Sequence, residues 1–319
     1  MTKQGEVIAA DIGGTNIRLA RICEGLILEE VRYQADFSGL NGMSKLEAEN
    51  HILHTIEKAV QALPHDHIQG LGIGFPGFFI GNSGVLAASP NIPQLSNFAL
   101  AKKISTRLCM PVTAQNDALC AAIGEQAFGA GKGHENLLHI TLGTGIGGGL
   151  ILNNTPYTGE SGMAMEFGHL CVNHSEQARL CGCGNHGCVE AYASATAISA
   201  RYDEATGIKT SAKHIYQRAV DGDTQAVDIF ESAGIYLGAA IAEAITLLDI
   251  RHVTISGGLI GAWGMLHPSM MTSLDTHLIP PLKGKISVHP SNLQDNAGIL
   301  GAAALVGTGL QLFKKNESL

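Results

Sequence analysis

The sequence predicts an α/β protein of two related lobes with a cleft between them, on three observations. Strand patterns alternate with helical ones along the 319 residues. A strand, a glycine turn and a second strand occur near the N-terminus and again about 130 residues later, which reads as a duplicated lobe. No Pro- or Ser-rich linker separates the copies, so they are expected to pack along a hinge.

The elements follow in order. Residues 6–10 read as a strand running into Asp11-Ile-Gly-Gly-Thr-Asn16, and residues 17–22, apolar at alternate positions, as the next strand. A third strand is expected at 26–33. This is strand, turn, strand; a dinucleotide-binding glycine loop would open a helix here, and Gly-x-Gly-x-x-Gly is absent. Residues 44–63 carry Leu46, Ile52, Leu53, Ile56, Ala59, Val60 and Leu63 on one helical face. A buried strand at 68–75 is ended by Pro76-Gly77. A helix at 98–108, a strand at 112–115 and a helix after Asp117 come next. The second copy opens with a strand at 137–142, the turn Gly143-Thr144-Gly145 and a strand at 147–152. A helix at 237–249, a strand at 252–255 ending in Ser256-Gly257-Gly258 and a final helix at 297–313 complete the chain.

Composition removes several function classes. The net charge is −8 with no Lys/Arg run, unsuited to nucleic acid or anionic membranes. Residues 233–250, the longest apolar segment, are interrupted by Glu243 and Asp249 and read as a buried helix; no membrane span is expected. Asp11 interrupts any signal-peptide pattern, and seven cysteines, an odd number, indicate a reducing compartment. The expectation is a cytoplasmic protein. Glycine is in excess, 40 of 319 residues, against an average near 7%.

Two glycine turns facing one cleft suit a polyphosphate, because backbone N–H groups reach phosphate oxygens closely only where no Cβ intervenes. Gly13, Gly14, Gly143 and Gly145 are the candidates, with Thr15, Asn16 and Thr144 as side-chain donors and Gly257-Gly258 as a third glycine pair. Asp11, at the strand end beside the first turn, is placed to hold hydrated Mg²⁺. Either turn alone also reads as an ordinary hairpin.

A second constellation is Glu166-Phe-Gly-His169 with Cys181-Gly-Cys183-Gly-Asn-His-Gly-Cys188-Val-Glu190. Three cysteines in a glycine-rich knuckle can turn three thiolates onto one Zn²⁺, which needs a fourth ligand. His169 is preferred, with His174 and His186 as competitors; reduced cysteines without metal, or a disulfide switch, are the other readings. Cys23, Cys109, Cys120 and Cys171 lack such company and read as core residues.

These motifs, with Leu142-Gly-Thr-Gly-Ile-Gly-Gly-Gly149, resemble the ROK family of repressors, open-reading-frame proteins and sugar kinases in the actin/hexokinase superfamily. The match runs in the family's order from the first strand to the terminal helix. The cysteine knuckle ending in Glu is its most specific part. The resemblance implies a two-lobed actin/hexokinase-like, duplicated ribonuclease-H-like fold. The smaller lobe would be 1–113 with 298–319, and the larger 114–297, bearing the second turn, the knuckle and an adenine-side Gly257-Gly258.

The resemblance also implies roles. Asn116-Asp117 matches the family's Asn-Asp pair, whose Asp is the base for the sugar hydroxyl; without the resemblance, Asp117 reads first as a helix N-cap. The family often continues Asn-Asp-Ala-Asn, where Leu119 stands here, a minor departure at a position that moves no proton. Asn91 matches a sugar-contacting Asn, and Glu166, His169 and Glu190 match residues reading hydroxyls near the anomeric end. His169 would serve sugar and metal through its two nitrogens, and the corner Gly77 would let backbone approach the sugar.

The implied activity is ATP-dependent phosphorylation of a hexose 6-hydroxyl, with structural zinc, catalytic Mg²⁺ and a homodimeric state. Glucose comes first, since residues 163–169 and 191–197 resemble bacterial glucokinases of the family. N-acetylmannosamine or N-acetylglucosamine is the alternative, since residues 128–149 also resemble the kinase half of the bifunctional sialic-acid pathway enzyme. A DNA-binding repressor is disfavoured, with ten residues before Asp11. A non-catalytic sugar-responsive regulator is disfavoured by the intact Asp11, Asp117 and both turns.

Overall fold

Apolar alternation in the first strands produces the sheet that carries the first glycine turn. In the computed structural model, which describes residues 5–40, 42–64, 67–90 and 92–316, β1 (Val7–Ile12) pairs antiparallel with β2 (Asn16–Cys23) from Val7↔Ile22 to Ile12↔Ile17. This register leaves Gly13, Gly14 and Thr15 as the connection between the strands. β3 (Leu26–Gln34) continues antiparallel on β2, while β4 (Leu71–Phe75) and β8 (Val112–Asn116) extend the other edge in parallel, giving the order β3-β2-β1-β4-β8. A small sheet of β5 (Phe78–Phe79), β6 (Leu86–Ala88) and β7 (Ser96–Phe98) follows β4 in the chain.

Helix α1 (Lys45–Val60) starts where Ser44 and Glu47 form a reciprocal capping box, and it buries Ile52, Leu53, Ile56, Ala59 and Val60. These join Ile8, Ile17, Leu19, Ile73 and Phe75 in one core, with α2 (Leu100–Leu108) adding Leu100 and Ile104. α3 (Asp117–Phe128) lies against the final helix α9 (Ala297–Asn316). The contact is close: a Cβ on Gly124 would stand 2.0 Å from Ala297 O, and one on Gly301 1.7 Å from Cys120 O.

A second sheet has the order β11-β10-β9-β12-β13, from β9 (Leu137–Leu142), β10 (Ile146–Leu152), β11 (Thr155–Pro156), β12 (His252–Ser256) and β13 (Ser287–Pro290). Its helices are α4 (Glu190–Ala193), α5 (Ala195–Thr206), α6 (Ala212–Val220), α7 (Thr224–Leu248) and α8 (Trp263–His277). α7 packs on α4, α5, α6 and α8. Gly234 and Gly238 bring it against α8, where a Cβ would meet Leu266 O at 2.4 Å and Met270 O at 2.2 Å. Part of the glycine excess therefore serves helix contacts as well as turns.

The chain forms two compact units, 1–133 with 149–164 and 296–319, and 134–148 with 165–295. The mixed α/β architecture agrees with the sequence reading. α7 begins thirteen residues before the expected helix, because Asp223 caps it through Ala226 N and Ile229 and Phe230 bury its more polar first turns. α7 is also the one helix, among the described residues, long and apolar enough to cross a membrane, and more than half of that window is buried within the protein.

Candidate active site

In the first unit, a turn and a strand end carry the candidate residues. Gly13 N donates to Asn16 O at 2.9 Å, closing the hairpin. The chain after β3 holds it from one side, with Ala35 N donating to Thr15 O at 3.0 Å and Phe37 N to Gly14 O at 3.2 Å. Gly13 to Asn16 are exposed, and Asn16 Nδ2 donates to Thr15 Oγ1 at 3.0 Å. A Cβ on Gly14 would meet nothing within 4 Å, and one on Gly13 only Asn16 O at 3.5 Å. The fold itself does not demand glycine at either position; the bare backbone leaves room for a ligand. Asp11, half-buried at the end of β1, has Oδ2 3.5 Å from where a Gly298 Cβ would stand, at the start of α9.

At the end of β8, Asn116 is the N-cap of α3: its side chain accepts from Leu119 N at 3.0 Å and donates through Nδ2 to Gly77 O at 3.1 Å. The cap role open to Asp117 in the sequence therefore falls to its neighbour. Asp117 Oδ1 accepts a local bond from Ala118 N at 2.9 Å, and burial raises its carboxyl above the ordinary value of 3.8 despite that bond and one from its own backbone N–H. Gly77 has φ 152°, and a Cβ there would reach Ala88 O at 2.8 Å, so this corner requires glycine. Gln115, which the sequence offered only as strand, is buried, donates to Gly81 O at 3.0 Å and accepts Asn116 N at 2.9 Å, orienting the Asn116 backbone. Asn91 lies outside the described residues.

In the second unit the turn Gly143–Gly145 is closed by Gly143 N donating to Gly145 O at 2.9 Å. Its remaining supports come from afar. Thr196 Oγ1 donates to Thr144 O at 2.7 Å and Ala195 N to Gly143 O at 2.9 Å. Glu190 Oε2 accepts Ile146 N at 2.8 Å and would sit 2.6 Å from a Cβ on Gly145. Gly257 has φ 98° and packs on the Leu142 backbone, whereas Gly258 is open on the side a Cβ would occupy.

The knuckle lies beside this turn. His169, Cys181, Cys183 and Cys188 place one ligand atom each within 4.8 Å of the others. His169 Nδ1 is 3.7 Å from Cys181 Sγ, while its Nε2 is 3.6 Å from Glu166 Oε2. Cys181 Sγ also points to Glu190 Oε1 at 3.9 Å, linking knuckle and turn. The competing histidines are engaged elsewhere: His174 Nδ1 with Cys171 Sγ at 3.4 Å and His186 Nδ1 with Ala178 O at 2.9 Å.

The cluster fits a tetrahedral ion. Cys183 and Cys188 sulfurs are 3.7 Å apart. A disulfide needs about 2.05 Å, and two Zn–S bonds of about 2.3 Å at the tetrahedral angle give about 3.8 Å. Burial pushes the Cys188 thiol up to about 12 and raises Cys181, while Asn185 N–H lowers Cys183. A divalent cation is the partner that would ionise all three.

The chain has counterparts among known proteins over nearly its whole length. The ROK family pattern matches residues 7–308. A glucokinase of Thermotoga maritima is 32% identical over 316 residues, covering 94% of this chain and 97% of its own. An N-acetyl-D-glucosamine kinase of Histophilus somni is 34% identical, covering 92% and 97%. The crystal structure of a ROK family glucokinase from Streptomyces griseus in complex with glucose and AMPPNP superposes with TM-score 0.78 at 31% identity, over 94% of this chain and 99% of that one. The chain belongs to the ROK family and has its actin/hexokinase-like fold.

Proposed function

We propose that the protein is a cytoplasmic ATP-dependent sugar kinase that phosphorylates the 6-hydroxyl of a hexose, with glucose as the preferred substrate. The observation that carries it is Asp117: a carboxylate relieved of helix capping by Asn116 and raised by burial toward a base. Full-length likeness to glucokinases supports the choice of glucose. The relative that is 34% identical supports an N-acetylhexosamine kinase as the second reading.

Asp117 would orient the hydroxyl and accept its proton as the sugar oxygen bonds to the γ-phosphorus and the bond to the β–γ bridging oxygen breaks, releasing ADP. Most of its contribution is orientation, since a carboxylate is a weak base for an alcohol. Asn116, Gly77, Asn91, Glu166, His169 and Glu190 are assigned to sugar. The turns at 13–16 and 143–145 and the pair Gly257-Gly258 are assigned to ATP. Bound Mg²⁺ would neutralise the phosphates, with Asp11 as its carboxylate. His169, Cys181, Cys183 and Cys188 would hold a structural Zn²⁺ that shapes the sugar-reading residues.

Product analysis by ³¹P and ¹³C NMR after incubation with ATP and glucose tests this. A phosphomonoester coupled to C6 is expected; phosphate on another carbon, or transfer only to N-acetylhexosamines, would overturn the assignment.

A further inference from the structure

Between β9 and β12 runs a line of polar side chains flanked by buried hydrocarbon. Leu138, Ile140, Val253 and Ile255 are all fully buried. In the same register Thr254 stands opposite His139 and Ser256 opposite Thr141. The His139 imidazole has no exposed surface; Nδ1 lies 2.8 Å from Thr254 Oγ1 and Nε2 2.9 Å from Ser256 Oγ. Burial lowers it to about 3, so the ring is neutral wherever the protein is folded near neutral pH. A leucine here would extend the core. A satisfied buried polar set adds little net stability over apolar packing; its effect is to select one geometry.

The geometry selected lies at the strand ends. Ser256 is the last residue of β12, and Gly257 follows it, packed so closely on the end of β9 that a Cβ would stand 2.2 Å from Leu142 O. Leu142 in turn opens the Gly143–Gly145 turn. Two residues along β9 from His139, Thr141 Oγ1 accepts Gly147 N at 3.1 Å, from the far side of that turn. The polar row is therefore continuous beneath both glycine segments of the second unit.

We infer that His139 is a positioning residue for nucleotide binding, setting the Gly257-Gly258 backbone against the Gly143–Gly145 turn through Ser256. It touches no substrate. The inference rests on those glycine segments binding ATP.

Amide substitutions separate the two ring nitrogens, because Asn places a polar atom near Nδ1 and Gln places one near Nε2. His139→Asn keeps Thr254 and abandons Ser256; His139→Gln does the reverse. Steady-state kinetics of the full chain, with melting temperatures alongside, give the readout. His139→Asn is expected to raise KM for ATP about tenfold, with KM for sugar unchanged, and His139→Gln to stay within about twofold of the parent. Ser256→Ala, a smaller perturbation should the histidine variants fold poorly, is expected to reproduce the ATP effect. Equal KM for ATP in the Asn and Gln variants, a parallel rise in KM for sugar, or an unchanged KM for ATP in Ser256→Ala would overturn the inference. Absence of ATP turnover in the parent protein would instead overturn the kinase reading.

Discussion

The two glycine turns share a hairpin but not a means of support. Gly13–Asn16 is held by main-chain bonds from residues 35 and 37, just beyond β3, the second strand after it. Gly143–Gly145 is held by side chains 44 and 52 residues away in sequence, Glu190 on Ile146 N and Thr196 on Thr144 O. Glu190 also meets Cys181 of the knuckle. The first turn is thus held by backbone within about 25 residues of it, and the second depends on a scaffold that includes a candidate metal site. The first unit also holds Asp117, so the proposed base and the candidate metal site fall on different units.

That division predicts a graded set of responses. Asp117→Asn retains an acceptor for Ala118 N and removes the base, so kcat should fall about 10²–10⁴-fold with KM for ATP little changed. The parent enzyme should lose kcat/KM on acidification through an apparent pKa above 3.8, since the working form is deprotonated and burial raises its pKa. Undiminished turnover in the Asn variant would move the chemistry elsewhere. On the scaffold side, Cys183→Ser or removal of zinc by chelation should lower Tm by about 10 °C or more, with one zinc per chain in the parent by elemental determination. A stoichiometry near zero would remove the metal from the scaffold.

A smaller effect follows from His139. Its folded-state value is about 3 against 6.5 for a free histidine, so between those values the unfolded chain binds a proton that the folded chain does not. Stability from this residue is full above pH 6.5 and declines on acidification, by about 2 kcal/mol from pH 7 to 5. Urea unfolding of the parent and of a His139→Leu variant at both pH values isolates it; an equal decline in the two would refute it. Smallest is Thr196→Val, which removes one exposed-side donor to Thr144 O and should raise KM for ATP by about threefold. No change in that KM would erase the contrast between the turns.

What the sequence made legible was what its chemistry keeps short-range. The hairpin around Gly13, the knuckle from Cys181 to Cys188 and the Asn116-Asp117 pair each lie within ten residues, so each is visible as a short run of residue types before its distant partners are known. The choice among His169, His174 and His186 was open in the spacing and is decided in the cluster by the tertiary path, which turns His186 to Ala178 O and His174 to Cys171. Asp117 was ambiguous between cap and base because both roles need the same residue type at a helix start; the φ and ψ of Asn116 make it the cap. Gln115, Thr196 and His139 carried no signal, since a polar residue in a strand or a helical first turn says nothing of the distant loop it meets. The first turns of α7 were hidden by their polarity, which tertiary burial of Ile229 and Phe230 overrides.

The kinase assignment is tested most directly by ADP release with ATP and a panel of glucose, other hexoses and N-acetylhexosamines, run beside Asp117→Asn. Turnover is expected to be greatest with glucose and to collapse in the variant. No turnover with any sugar, or turnover the variant retains, would contradict it.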